Sequence, residues 1–536
     1  MIVVESLHGG HPPAPRGETK MVLDFKTYRD KMAGCWMGKN IGGVLGAPFE
    51  GKRQINDISF YIQDLHGNPP PNDDLDLQLV WLNAVERYGR QVNASILGEY
   101  WLSFIVPGWV EYGAGKNNLR MGVLPPLSGA WGNPYKDSCG CFIRSELWAC
   151  LAPGRPELAA RYAVEDAIVD HADEGLYGEV FCAALQSAAF VESDRDRLLD
   201  IGLSYIPADC GVTRAVQMAR RCRAEGLDWQ EARRRVMTAV PGSFGVQETL
   251  LSEMPGDVPA GAPGYDAPGN IGILVIGWLY GKDFGDCLCI ANNCGEDTDC
   301  TCATLGAILG IIHGNDALPE AWKTPLGDAI TTCCINQMHG GLSIPKTVTE
   351  LTDRVLSLVP SFLGREWCDL LAGPDGYSIQ TLEGDGLFCQ SGIRYIPSVN
   401  GSNKSTEPDI PELLSYGPHV TRYSFPAFHA RVDTLGYPIL KTGVPQRFRL
   451  HVQDSATLGY HQHQWVTATL LVPAGIRILS APVQSANLPA LYRSEVVMEF
   501  EVVADSLQGP RMDLILDVCL NGRHSNGLMK VAFFPA

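Results

Sequence analysis

Two short acidic clusters carry most of the chemical information in this sequence. Asn72-Asp73-Asp74 follows a triple proline, Pro69 to Pro71, and precedes an amphipathic run over residues 75–88, which places both acids at a helix N-terminus. Asn and Asp cap helices there and acids interact favourably with the helix dipole, so a purely structural role competes with a chemical one. Gly295-Glu296-Asp297-Thr298-Asp299 precedes a second periodic segment, 299–312, and repeats the arrangement. A hard divalent cation demands several oxygen ligands, and acidic turns at helix ends gather carboxylate, hydroxyl and amide oxygens in a small space. Two such turns in one chain therefore point to a metal centre.

The residues around these turns resemble the ADP-ribosylglycohydrolases. Residues 293–299, Asn-Cys-Gly-Glu-Asp-Thr-Asp, are similar to that family's Asn-x-Gly-Gly-Asp-Thr-Asp-Thr/Ser metal motif, and residues 303–310 resemble the small-residue helix that follows it. Asn72-Asp73-Asp74 resembles its Thr/Ser-Asp-Asp motif. Residues 42–50, Gly-Gly-Val-Leu-Gly-Ala-Pro-Phe-Glu, resemble its Gly-Asp-Ala-Leu-Gly-x-Pro-x-Glu segment. The resemblance implies an all-helical catalytic domain with two magnesium ions that bind the ribose hydroxyls beside the scissile bond. It implies Asn72, Asp73, Asp74, Asp297 and Asp299 as metal ligands, and Glu50, Asp74 and Asp297 as catalytic groups. Asn72 stands where the family has a hydroxyl residue, Gly43 where it has an aspartate, and Cys300 where it has Thr or Ser. A soft sulfur is a poor partner for magnesium, which brings manganese into consideration. Asp76 reads as a further ligand or as a solvent-facing helix acid, the second being the simpler expectation.

Residues 113–129 are similar in part to the family's Gly- and Asn-rich loop. Asn117, Asn118 and Arg120 are its candidate substrate contacts, with Gly295 beside the metal motif, because amides and a guanidinium suit sugar hydroxyls or phosphate. Asn is equally at home anchoring a turn. Trp101, Trp109, Tyr112, Trp131 and Tyr135 accumulate nearby as candidate pocket walls or as core filling. His171 resembles a less diagnostic region of the family and suits a core or helix-end role as well.

Three functional readings follow. The first is hydrolysis of an ADP-ribosyl bond, N- or O-linked, on a small molecule or a protein, by attack of water at the anomeric carbon over a binuclear magnesium site. The second is hydrolysis of another glycoside or N-riboside on the same scaffold. The third is an inactive ADP-ribose-binding protein, motivated by Gly43, Asn72 and Cys300.

The elements that must position these residues are helical through the first part of the chain. Apolar residues recur at three- and four-residue intervals from about residue 22 to 371, with helices expected at 75–88, 157–191, 299–312 and 329–339, and long loops at 107–137 and 241–270. Residues 372–411 read as a linker, its core being the Ser/Asn/Pro-rich stretch 398–409. Beyond it the period changes to two, with strands expected at 446–452, 465–472, 494–503 and 511–518, so residues 412–536 read as an antiparallel, immunoglobulin-like β-sandwich. The expected architecture is multidomain, an all-α domain followed by that sandwich. His461 and His463 read as a polar strand face.

Composition narrows the partners. Hydrophobic residues make up 45% and charged residues 19%, ordinary for a globular protein. The net charge of -18, from 42 Lys and Arg against 60 Asp and Glu, repels nucleic acid and anionic membranes, and no apolar run is long enough to span a bilayer. Seventeen cysteines without a signal-peptide pattern point to free thiols in the cytoplasm. The spacing of Cys139 with Cys141, Cys287 with Cys289, and Cys300 with Cys302 is one residue, too tight for the usual zinc pairs, which favours small buried thiols. An oligomer is left open.

Overall fold

The computed structural model describes residues 20–240, 264–389 and 417–536, apart from 339, 366, 374–375, 426–427, 455–463, 489–494 and 522–524. The chain divides into two units, Met1–Tyr395 and Ile396–Ala536.

In the first unit, Gly34, Gly38, Gly42 and Gly46 recur every fourth residue and so lie along one face of helix α1 (Phe25–Gly46). They meet the helix that follows the second acidic cluster, Thr298–His313. A Cβ on Gly38 would stand 2.0 Å from the Gly306 carbonyl oxygen, one on Gly42 2.0 Å from that of Cys302, and one on Gly46 2.4 Å from the backbone of Asp299. The two helices therefore touch backbone to backbone. This seam brings the end of α1, and Glu50 just beyond it, against the start of the metal-motif helix.

The remaining helices surround the pair: α2 (Asp73–Tyr88), α3 (Ala94–Phe104), α4 (Val110–Arg120), α5 (Leu127–Ala130), α6 (Glu146–Leu151), α7 (Pro156–Ala167), α8 (Asp173–Ala189), α9 (Arg195–Ser204), α10 (Gly211–Ala224), α11 (Trp229–Ala239), α12 (Ala267–Tyr280) and α13 (Phe284–Asn293). The metal-motif helix is α14, followed by α15 (Glu320–Lys323) and α16 (Val348–Leu363). Strands β1 (Lys20–Leu23), β2 (Cys368–Gly373) and β3 (Gly376–Leu382) form a small antiparallel sheet in the order β1-β3-β2. No described helix is long and apolar enough to cross a membrane.

Several elements differ from expectation. The helix expected at 157–191 is two, α7 and α8. It breaks at 168–172 because the Asp170 carboxylate there pairs with the buried Arg144, 2.5 Å from its guanidinium. Of the helix expected at 329–339, the described part, 329–338, is not helical: the amides of Cys333 and Cys334 both donate to Asp76 Oδ2 at 2.7 Å, and Ile335 bridges to Ile105. The loop expected at 107–137 contains α4 and α5, and of the loop expected at 241–270 the part 241–263 lies outside the described residues while α12 opens at Ala267. The stretch read as linker from 372 begins with the end of β2 and with β3, whereas 398–409 lies outside the described residues, as do His461 and His463.

The second unit is rich in sheet. Its strands are β4 (Val420–Ser424), β5 (Phe428–Asp433), β6 (Ile439–Leu440), β7 (Gln446–Asp454), β8 (Gln464–Leu471), β9 (Ile476–Ile478), β10 (Val483–Leu488), β11 (Glu495–Ala504), β12 (Met512–Leu520) and β13 (Ser525–Pro535), with β7, β8, β11 and β12 being those read from the sequence. One five-stranded sheet runs β10-β8-β12-β13-β6 and the other β4-β5-β7-β11-β9. Alternation decides the buried face: Met512, Leu514, Leu516, Val518 and Leu520 are all buried on β12. They share one core with Phe448, Leu450, Val452, Phe500 and Val502 of the other sheet.

Candidate active site

The acidic clusters meet in one cavity of about 390 Å³, lined by Glu50, Asp73, Asp297, Asp299, Glu111, Tyr112, Trp109, Tyr265, Cys139 and Cys300 among others. Asp73 and Asp74 open α2, with Asn72 as N-cap; its Oδ1 accepts the Asp74 amide at 2.7 Å. Asn72 thus serves as the helix cap, with one lone pair of the oxygen expected to ligate metal given to that amide. Its Nδ2 is buried without a hydrogen-bond partner, and a Cβ on Gly43 would lie 2.6 Å from it. The two departures from the resembled pattern, at 43 and 72, are thus in contact. The smaller residue at one makes room for the amide at the other.

The second cluster is held by a clamp. Glu296 adopts φ +68°, where a glycine is most comfortable and a side chain costs about 1–2 kcal/mol. Its carboxylate accepts from Arg53 Nε at 2.8 Å and Nη2 at 3.0 Å, and from the Gly264 amide; its backbone exchanges bonds with Lys52 and Gly51. The clamp ties the segment just after Glu50 to the turn just before Asp297. Gly295, expected at the substrate, has φ +74° instead for packing: a Cβ there would meet the Gln54 carbonyl oxygen at 2.1 Å.

The result is a concentration of negative charge. Glu50, Asp297 and Asp299 offer oxygens within 4.8 Å of one another, as do Asp73, Asp74 and Asp299. Burial, then Asp297 and Asp73, pushes the Glu50 carboxyl up to about 7, and burial with Asp297 pushes Asp73 up to about 6. Asp74 and Asp299 are raised well above the carboxylate range, chiefly by burial. Asp74 Oδ2, Asp297 Oδ1 and Asp299 Oδ1 are buried without hydrogen-bond partners. The neighbouring cation, Lys39, stands 3.2 Å from Glu146. Buried carboxylates with orphaned oxygens call for positive charge, and a divalent cation fits the donor set.

Other expectations resolve differently. Asp76 is fully buried and holds the 333–334 backbone, not solvent. Asn118 donates to the carbonyls of Ser128 and Trp131 at 2.8 Å each, anchoring a loop. Asn117 accepts from Arg120 at 3.4 Å; both sit at the end of α4, and neither lines the cavity. Of the aromatics, Trp109 and Tyr112 are walls, Tyr112 donating to Asp73 Oδ2 at 3.5 Å, whereas Trp101 is in the core under Arg144. His171 is buried, 3.0 Å from Asp170 and 2.9 Å from Ser138 Oγ. Sequence reasoning missed Glu111, Cys139 and Tyr265. Glu111, raised to about 7 by burial, lies on the exposed-looking helix α4, and nothing local marks it.

A largely helical unit, with one small sheet, delivers acids from two helix N-termini and a Pro-Phe-Glu turn into one cavity, which defines the class of the protein: a helical protein with candidate acidic metal-binding clusters. The chain belongs to the ADP-ribosylglycohydrolase family, whose sequence model matches residues 24–359. The family acts on ADP-ribosylated substrates. Among solved structures the chain is similar to an ADP-ribosylglycohydrolase-related protein complex, at 19% identity and a TM-score of 0.41, over 63% of this chain and 100% of that one. No curated protein matches it.

Proposed function

We propose that the protein hydrolyses the glycosidic bond of an ADP-ribosyl group, N- or O-linked, with divalent cations, magnesium or manganese, held by Asp73, Asp74, Asp297 and Asp299. The observation that carries this reading is the clustering of these four acids with Glu50 around one cavity, with Asp74 Oδ2, Asp297 Oδ1 and Asp299 Oδ1 buried and without protein partners. Bound cations would orient ribose hydroxyls and acidify a water molecule. The chain's own groups supply the rest. Glu50, a carboxyl on the wall of the same cavity and beside Asp297 and Asp299, suits protonation of the leaving group. An aspartate at the ion site, Asp74 or Asp297, accepts the proton of the attacking water as the bond from the anomeric carbon to the leaving atom breaks. Tyr112 fixes Asp73, and Trp109 offers an apolar face for a ring. The C-terminal unit is read as a β-sandwich on the single core its two sheets share, and the free thiols favour a cytoplasmic setting.

A second reading, cleavage of an uncharged glycoside or N-riboside, is supported by the lining. Among the described residues the cavity carries Glu50, Asp73, Glu111, Asp297 and Asp299 but no Lys or Arg to meet a diphosphate. Release of ADP-ribose from arginine- and serine-modified peptides, with magnesium, manganese or chelator, separates the two. Metal-dependent release abolished by Asp297→Ala supports the first. Metal binding without release, together with turnover of neutral ribosides, supports the second.

A further inference from the structure

One wall of the site is sulfur. Cys139, in the turn before α6, and Cys300, in the first turn of α14, both line the cavity, at 2% and 7% exposure. Their Sγ atoms and a carboxylate oxygen of Asp297 lie within 4.8 Å of one another. Cys139 donates to Asp297 Oδ2, and Cys300 Sγ stands 3.5 Å from Asp74 Oδ1. The second oxygens of both aspartates, Asp297 Oδ1 and Asp74 Oδ2, are the buried, unpartnered atoms noted above. Two thiols and the Asp297 carboxylate thus face one point, with Asp74 beside Cys300. The cysteines come from different local pairs, so spacing within either pair does not reveal the set.

Size and softness identify the occupant. For a tetrahedral ion with metal–sulfur bonds of about 2.3 Å and metal–oxygen bonds of about 2.1 Å, neighbouring sulfur and oxygen ligands stand about 3.6 Å apart. The ligand atoms of Cys139, Cys300 and Asp297 all lie within 4.8 Å of one another, close enough for one ion to reach all three after small side-chain adjustment. Magnesium demands near-ideal octahedral oxygen ligation, whereas thiolates select softer ions. We propose that Cys139, Cys300 and Asp297 form a three-ligand thiophilic cation site, for zinc or its substitutes cobalt(II) and cadmium, beside a hard-cation position at Asp73, Asp74 and Asp299. This rests on reading the cavity as a metal centre and changes what the centre holds. Each thiol that ligates gives its proton to solvent, so uptake of the ion releases acid.

The test is spectroscopic and uses the full chain. Cobalt(II) added to the metal-free protein is expected to give an intense near-ultraviolet sulfur-to-cobalt band at one equivalent, erased by zinc but not by excess magnesium. Cys300→Thr should weaken the band while magnesium still binds. In Cys139→Ser/Cys300→Thr the band should vanish and zinc affinity fall by more than roughly 100-fold, beyond the loss expected for an outer-shell partner. Cys289→Ser, a buried thiol away from the cavity, should keep the band and controls for folding. Cobalt binding without the band, or unchanged zinc affinity in the double variant, overturns the sulfur site while leaving a carboxylate metal centre standing. Failure to bind any divalent cation overturns both.

Discussion

Gly38→Ala tests the idea that backbone contact along α1 and α14 builds the site. In a free helix this change stabilises, by about 1 kcal/mol, because alanine is the better helix former. Here the new Cβ would lie 2.0 Å from the Gly306 carbonyl oxygen and 2.6 Å from its carbon, against a floor near 3.0 Å for real Cβ contacts. The obstacle is backbone on a second helix, so no rotamer change relieves it and the helices must part by about 1 Å. Overpacking of this kind costs typically about 1–3 kcal/mol. Taking the upper end and subtracting the helix gain leaves a net loss of about 2 kcal/mol. With an unfolding entropy of about 2.1 cal/mol/K per residue, in a unit of this size that corresponds to a melting temperature lower by about 2–3 °C. Gly269→Ala on α12 is the matched control, since its Cβ would find only Met237 Sδ at 3.6 Å; it should be neutral or stabilising. Both are read by thermal and urea unfolding of the metal-free protein. A Gly38→Ala variant that melts with, or above, the wild type would refute the seam.

Further expectations concern the site itself. Glu50, Asp76 and Glu111 near 7 and Asp73 near 6 all lie above their unfolded values of roughly 4, so between the two the native state binds more protons than the unfolded state. Stability of the chelated protein is then full below about pH 4 and falls as pH rises to about 7; its melting temperature should be lower at pH 8 than at pH 5, magnesium should narrow the gap, and the opposite trend would remove the buried-acid account. Asp76→Ala strands the buried Cys334 amide and the part-buried one of Cys333 and should cost about 2 kcal/mol in urea unfolding, with Asp76→Asn milder; equal stability of both to wild type would show that the 333–334 backbone finds other partners. Once a substrate is in hand, Trp109→Ala should raise KM several-fold while Arg120→Ala leaves it unchanged, and the reverse order would return the end of α4 to the binding surface.

Local signals explain what the sequence makes legible. Asn72 and the acids after it are a cap followed by a periodic run, so α2 and α14 can be drawn with both clusters at their N-termini, and strict alternation marks β7, β8, β11 and β12. Long-range packing decides the rest. The break between α7 and α8 exists because Arg144, far away in sequence, needs Asp170 beside it. Residues 329–339 carry helical spacing, yet their amides are worth more as partners for a buried Asp76 than in a helix of their own. Asn118 has the composition of a sugar contact and the position of a loop anchor. Glu111 and Cys139 join the cavity only through the fold, because their neighbours in sequence are a glycine-rich helix and a turn.

One feature at the edge of the helical unit bears on how such proteins can be assembled. β1 lies antiparallel to β3, with Lys20 opposite Leu382 and Leu23 opposite Ile379. The first and last described strands of the unit therefore bring residues 20 and 382 within one strand spacing, about 4.8 Å, and a short segment to Cys389 packs on α9 beyond them. A domain whose ends meet can be circularly permuted or inserted as a cassette into another chain without unthreading its core. Linking residue 20 to residue 382 through a short loop, and opening new ends in a surface turn such as that at Gly226, leaves the glycine seam and every cavity residue on an unbroken stretch of helix or turn.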